Sequence, residues 1–246
     1  MAAGHQSRRG ATLSPRPRRS AIGLTAMYEL HFEVLRPYVP FLLRGLFVTA
    51  YVSLAAMAVG TVLGLLLALA RLSGFVVLSV PCRVLVDFVR GVPALVLLIY
   101  IYYGVSIFVG LNIPAMAAAI GGLGVFYAAY LSETFRAGIL AVDRGQIEAA
   151  MSLGMPRVLV FRRVVMPHAF RIVLPPLTNS FISLFKDSSL VSVLAISELT
   201  REGQQIMIAT FRAFEALTAV ALIYYVITTI MSYGSSYVES WVRRSE

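Results

Sequence analysis

The sequence predicts an all-α, polytopic membrane protein with about five transmembrane helices and a cytoplasmic helix set between two of them. Three observations carry this. Charged residues are 13% of the 246 residues and hydrophobic ones 59%, with a mean hydropathy of +0.81; a soluble domain carries about 25% charged residues. The apolar residues run in long blocks rather than at core-face spacing. Backbone groups in lipid must be satisfied inside helices or closed barrels, and the alternating segments of about ten residues that a barrel needs are missing.

The elements follow in order. Residues 1–26 place Arg8, Arg9, Arg16, Arg18 and Arg19 among Gly, Ser and Pro, and read as a disordered basic arm. No apolar core follows Arg8-Arg9 at the distance a twin-arginine export signal needs. A short N-terminal segment, 27–41, leads into a transmembrane domain over 42–236. The first span covers 42–70, with Arg71 just beyond. Residues 72–93 mix Arg83, Asp87 and Arg90 with apolar residues and read as an amphipathic connector ending at Gly91 and Pro93. The second span, 94–109, is closed by Gly110, Asn112 and Pro114. The third covers 115–131, with Glu133 and Arg136 at its far end. A polar gap fills 137–171. The fourth span, 172–196, is interrupted by Pro175-Pro176 and by Lys186-Asp187, and a polar stretch fills 197–212. The fifth covers 214–233, and a tail, 237–246, carries Trp241, Arg243 and Arg244. Each span is near the roughly 20 residues that a bilayer crossing needs.

Basic residues near span ends set orientation. Arg136, Arg144, Arg157, Arg162, Arg163 and Arg171 put the gap on the cytoplasmic side, with the connector and the tail. An odd number of spans then puts the N-terminus outside. The basic arm conflicts with that side, and a true start at Met27 would remove the conflict. The net charge of +9 sits mostly in loops, where it fixes topology and meets lipid head groups rather than nucleic acid. Cys82 is the lone cysteine, so no intrachain disulfide forms. His5, His31 and His168 are scattered and predict no metal site, and no pairing of nucleophile and base suggests an enzyme.

Within the gap, Glu148 is expected in the first turn of a short helix, where a carboxylate complements the helix dipole. Ala149, Ala150 and Ser152 leave that helix little bulk, Gly154 fits its C′ position, and Pro156 fits the first turn of the next helix. Pro167 is expected to stop that second helix. On residues alone, a docking surface and an ordinary cytoplasmic loop explain the gap equally well. Lys186-Asp187 is costly inside an apolar run, so the pair faces the bundle interior or water. It serves either as a gate or solute-path element or as a structural tie. Neighbours on a helix point in different directions, so the two need not pair with each other. Glu133 and Arg136 stand at helical spacing; a structural salt link is the better reading and a place on the solute path the other. Gly121, Gly122 and Gly124 make the third span smooth enough for close helix packing. Tyr100, Tyr102, Tyr103, Tyr237 and Trp241 read as interfacial aromatics before path residues.

Several runs resemble one family. Gln146-Ile-Glu-Ala-Ala-Met-Ser-Leu-Gly154 resembles the coupling motif of ABC importer permeases, E-A-A then three residues then G. Asp87-Phe-Val-Arg-Gly-Val-Pro93 is similar to the family's F-R-G-T-P segment. Tyr130-Leu-Ser-Glu-Thr-Phe-Arg-Ala-Gly138 is similar to its A-Y-x-x-E-x-F-R-G-G run. Val164-Val-Met-Pro-His-Ala-Phe-Arg171 resembles V-V-L-P-Q-A-x-R, Lys186-Asp-Ser-Ser-Leu-Val-Ser192 resembles K-D-T-S-L-V-S, and Gly203-Gln-Gln resembles G-Q-Q. These runs follow one another through most of residues 40–235 and resemble the polar amino-acid branch, which takes histidine, glutamine, glutamate, arginine and opines. The departures are Val92, Ala137, His168 and, within the membrane, Phe126-Tyr127, which bear on what is transported.

The resemblance implies a type I ABC importer permease fold in the bacterial inner membrane. It implies that Glu148, Ala149, Ala150 and Gly154 seat in a groove of a separate ABC ATPase subunit, and that the solute is a polar amino acid or related zwitterion. It also implies a second permease subunit, identical or homologous, and an extracytoplasmic solute-binding protein. ATP and magnesium belong to the ATPase partner: no G-x-x-x-x-G-K-[ST] phosphate loop occurs in this chain. ATP binding would draw the coupling helices together and open the path outward, and hydrolysis would reset it. The rival readings are a self-sufficient channel or ion-coupled transporter and a membrane anchor for a signalling ATPase.

Overall fold

The computed structural model describes residues 29–243, the side chains of Trp241 and Arg243 excepted. The basic arm 1–26, those two side chains and Arg244 lie outside the described residues. Residues 29–31 belong to a unit separate from the rest, and there His31 Nε2 lies 3.5 Å from Glu29 Oε2. The rest, from Phe32, is helical.

A 3₁₀ turn, Phe32–Tyr38, opens into α1, Val39–Leu72. Pro40 sits in the first turn of α1, where no intrahelical N–H is needed. The helix ends at Ser73, whose N–H and hydroxyl both donate to the Ala70 carbonyl, at 3.3 and 2.6 Å. α1 is mostly apolar, yet most of its buried residues are small: Gly45, Thr49, Ser53, Ala56, Gly60 and Gly64 repeat at close to four-residue spacing. Gly45 and Thr49 meet Leu199 and Glu198, and the stripe from Ala56 to Gly64 lies on α5, Ala115–Leu140, whose buried face is equally small at Ala118, Gly122, Gly124 and Ala128. In lipid, where apolar burial alone gains little, close backbone approach is what holds helices together. At Gly64 an added Cβ would lie 2.9 Å from Leu131 Cβ and 3.0 Å from the Ala128 carbonyl oxygen.

The connector is α2, Val76–Gly91, which buries Val86 and Val89 and turns by 110° into a second helical run, Ala94–Val109. That run comprises α3, Ala94–Ile99, a π turn over Tyr100–Val105 and α4, Ser106–Val109. The expected second span is thus the far arm of a bent pair. Val92 and Pro93 make the corner, because proline cannot continue the hydrogen-bond ladder and restricts the residue before it.

α6, Arg144–Ser152, fills the middle of the polar gap, which is narrower than expected: α5 runs on to Leu140, and helix resumes at Arg157. Pro167 does not stop that second helix. α7, Arg157–Val160, passes through a π turn, Phe161–Val165, into α8, Met166–Asp187. The π turn widens the ladder one residue before Met166-Pro167, which accommodates a residue lacking an N–H. α8 also continues through Pro175 and Pro176; Thr178 Oγ1 donates to the Pro175 carbonyl at 2.7 Å and Ser180 Oγ to that of Pro176 at 2.9 Å. The carbonyls whose helical donors the two prolines remove are those of Arg171 and Ile172, four residues back, and membrane helices tolerate such prolines where neighbours satisfy those groups.

A 3₁₀ turn, Ser188–Leu194, leads to α9, Leu199–Thr210, and α10, Ala213–Arg243, closes the described chain. α9 occupies the expected polar stretch because Glu198 caps it: its carboxylate accepts the N–H of Thr200 at 2.8 Å and of Arg201 at 2.7 Å. Glu198 is fully buried, and Oε2 also accepts the Tyr224 hydroxyl at 3.1 Å. Three runs are long and apolar enough to cross a membrane alone: Phe32–Leu72, Ala115–Leu140 and Ala213–Ser240. The two bent pairs, one around Pro93 and one running through α7–α9, bring the number to up to five. Among the described residues there is no strand. The main core joins α1, α3, α5, the end of α8 and the 3₁₀ turn after it through Val52, Leu98, Leu123, Leu184 and Val191.

Candidate functional site

Two regions carry the chemistry, and each is set by local sequence. The first is α6. Its N-cap is Asp143, whose Oδ1 accepts the N–H of Gly145 at 2.6 Å and of Gln146 at 3.3 Å. Glu148 therefore lies mid-helix, not in the first turn, because the cap comes earlier than the alanine run suggests. The far end is a Schellman turn. The Gly154 N–H donates to the Met151 carbonyl at 2.9 Å, and the Met155 N–H to the Ala150 carbonyl at 3.3 Å. Gly154 takes φ +78, where most side chains would be strained, so glycine is favoured there.

α6 is seated by one face. Ile147 packs on Val142, Val165 and Ala169, and Ala150 is buried beneath the helix. Glu148, Ala149 and Gly154 are exposed. So are two residues that the sequence reading passed over: Leu153, 83% exposed, and Val158, 80% exposed. Exposed large apolar residues at a helix end, next to a carboxylate and between arginines, form an amphipathic contact surface. The signal was in the sequence, since both sit outside any lipid-spanning block.

The second region is a groove of about 400 Å³ between α5 and α8. Phe126, Tyr127 and Tyr130 form its aromatic wall, their ring centroids 5.0 to 6.5 Å apart. Asn179, Ser180 and Ser183 supply neutral polar groups opposite, and Asp187 stands at one end. The Tyr127 hydroxyl donates to Asp187 Oδ2 at 2.7 Å. No basic side chain among the described residues forms an ion pair with Asp187. Lys186 turns the other way, into a second cavity of about 330 Å³ beside Thr200 and Tyr224. The two neighbours therefore serve separate spaces, as helix geometry requires. The role of Tyr127 could not be read from sequence, because its partner lies 60 positions away.

Glu133 and Arg136 do come together, and others join them. Glu133 Oε1 lies 2.7 Å from Arg71 Nη2 and 3.6 Å from Arg90 Nη1, and Oε2 lies 2.9 Å from Arg136 Nε. The cluster ties the ends of α1 and α2 to α5, and neither residue lines the groove of Asp187. No group of three or more His, Cys, Asp or Glu with metal-binding geometry occurs among the described residues.

Known proteins share this architecture. Residues 60–244 match the model of the family described as binding-protein-dependent transport system inner membrane component. The probable amino-acid permease protein YxeN of Bacillus subtilis is 38% identical over 208 residues, covering 84% of this chain and 93% of that protein. The glutamine transport system permease protein GlnP of Escherichia coli is 35% identical over 206 residues, covering 83% and 94%. A chain from the crystal structure of an amino acid ABC transporter with histidines superposes with a TM-score of 0.82 at 37% identity, covering 86% of this chain and 99% of that one. A chain of the MetNI methionine ABC transporter, 22% identical with a TM-score of 0.71, shares the fold. With three quarters of its length inside the family model and both relatives matched nearly end to end, the chain belongs to the binding-protein-dependent transport system inner membrane components.

Proposed function

We propose that this chain is the membrane-spanning subunit of an ATP-driven importer that carries a polar amino acid or a related small zwitterion. α6 carries the reading. It is a short helix fixed at both ends, by Asp143 and by Gly154, that holds Glu148, Ala149 and Leu153 outward on a seat built from α5 and α8. A rigid projection of this kind transmits displacement to the helices under it, and this chain has no phosphate loop of its own with which to spend ATP. An ABC ATPase subunit holding ATP and magnesium seats on α6. A second permease subunit and an extracytoplasmic binding protein complete the assembly.

The relatives named for amino acids support the solute class, and so does the groove. Asp187 offers an anion to an ammonium group, and the hydroxyls and amide of Ser180, Ser183 and Asn179 offer donors to a carboxylate. Lys186 lines the neighbouring cavity and serves as a gate element there. Glu133 and Arg136 act as a tie rather than as solute contacts, since they are spent on each other and on Arg71. The arginines flanking α6 support a cytoplasmic side for it and for the C-terminal end, with the N-terminal end outside.

Reconstitution with an ABC ATPase subunit and a binding protein tests the reading. Solute-stimulated ATP hydrolysis and uptake are expected with the natural chain, and both should vanish in Glu148→Arg while membrane insertion persists. Uptake that needs no ATP, or normal uptake by Glu148→Arg, would overturn it.

A further inference from the structure

We infer that the slot between α1, α2 and α5, together with the arginine cluster at its end, is a binding site for an anionic phospholipid. The slot holds about 300 Å³ and is apolar, lined by Leu63, Leu67 and Ala70 of α1, Cys82 and Val86 of α2, and Ala129 of α5. Leu66 and Leu85 stand at its rim, 57% and 51% exposed, so it opens sideways from the helices. An apolar slot of that kind, among helices that cross a membrane, takes an acyl chain.

Its end is charged on all three helices. Arg71 follows Leu67 by four residues, Arg90 follows Val86 by four, and Glu133 follows Ala129 by four, with Arg136 one turn further. Residues four apart share a helix face. The charges thus continue the lining of the slot by one turn, as a head group continues a chain. Three guanidiniums share the Glu133 carboxylate, and Asp87 forms an ion pair with none of them. Three positive charges against one negative leave the cluster cationic.

The spare donors are the accessible ones. Arg71 is buried, with its side chain 7% exposed, and is engaged by Glu133 and by Ser132 Oγ at 3.4 Å. Arg136 spends only Nε on Glu133, and its side chain is 36% exposed. Arg90 sits 3.6 Å from Glu133, beyond a good hydrogen bond, with its guanidinium 5.4 Å from the Tyr130 ring centroid and its side chain 40% exposed. Arg90 and Arg136 can therefore fork onto a phosphate. Basic pockets between transmembrane helices recognise anionic head groups in this way. A free phosphate would fill only the charged end, and a neutral lipid only the slot; an anionic phospholipid fills both.

The single cysteine, Cys82, lines the slot and reports its occupancy. The full chain is reconstituted in nanodiscs of phosphatidylcholine with or without phosphatidylglycerol, and its labelling by a membrane-permeable maleimide is timed. Phosphatidylglycerol should slow labelling about thirtyfold, as expected from about 1 kcal/mol for each of Arg90 and Arg136 at the head group. Native mass spectrometry should show phosphatidylglycerol retained over phosphatidylcholine. The double variant Arg90→Gln, Arg136→Gln keeps the Arg71–Glu133 pair and should lose both effects, while labelling as before in pure phosphatidylcholine. Equal labelling in the two lipids, equal protection by inorganic phosphate alone, or a preference that survives the double variant would each overturn the inference. So would protection that tracks pairing of two copies rather than lipid composition.

Discussion

The phenol of Tyr127 donates a 2.7 Å hydrogen bond to Asp187 Oδ2, joining the middle of α5 to the last residue of α8. Both residues line the polar groove, so the bond sets the position of its one carboxylate. Hydrogen bonds to charged groups contribute about 1.5–3 kcal/mol. Tyr127→Phe should lower kcat/KM for uptake by about tenfold or more, with insertion and ATPase association unchanged. Unchanged uptake in proteoliposomes, with only a lower Tm, would assign the bond to structure alone.

The Schellman turn of α6 makes a second prediction. A β-branched residue at the φ of +78 found at Gly154 costs about 1–2 kcal/mol, whereas Asn visits that region readily. Gly154→Val should abolish co-purification of the ATPase subunit, and Gly154→Asn should retain it. Equal pull-down by the two variants would show that the turn is not what presents α6.

A third concerns the α1–α5 seam. Gly64→Ala forces a Cβ to within 2.9 Å of Leu131 Cβ and 3.0 Å of the Ala128 carbonyl oxygen. Overpacking of this kind costs about 1–3 kcal/mol. Gly74→Ala is the control, because nothing lies within 4 Å of its added methyl group. Thermal unfolding in detergent should show a drop of several degrees for the first variant and none for the second.

Glu198 supplies a fourth. Its carboxylate accepts from Thr200 N–H, Arg201 N–H and Tyr224 Oη with no exposure to solvent. Glu198→Ala strands two helix-end donors and a phenol, at a cost of about 2 kcal/mol or more. Faster amide exchange confined to Leu199–Thr210 is the expected signature. Glu198→Gln keeps one acceptor oxygen and should lose about half as much.

Much of this was legible in the chain, and the limits have physical causes. The spans could be read because lipid demands long apolar runs, and Gly154 because a left-handed helix end favours glycine. What escaped depends on partners distant in sequence or on small adjustments of a helix ladder. Nothing local marks Tyr127 as the donor to Asp187, or Thr49 and Tyr224 as neighbours of Glu198. Pro167 signals a helix end, yet a single π turn before it keeps the helix running. Asp143 was readable as a cap; the alanine run beyond it drew the start of α6 too late.

The small-residue seam has a mechanical corollary. Helices in near backbone contact along Gly60, Gly64 and Gly124 cannot slide without losing that contact, so α1 and α5 form a strut. Against it lies a lever, the helical run Arg157–Leu194, touching the strut where Val173 meets Gly138. One end of it seats α6 through Val165 and Ala169, and the other carries Asp187 and Lys186. Gly138 is where that run comes nearest to the strut, and Tyr127 fastens its far end to the same helix, so a displacement arriving from α6 would have to break the Tyr127–Asp187 bond or carry α5 with it.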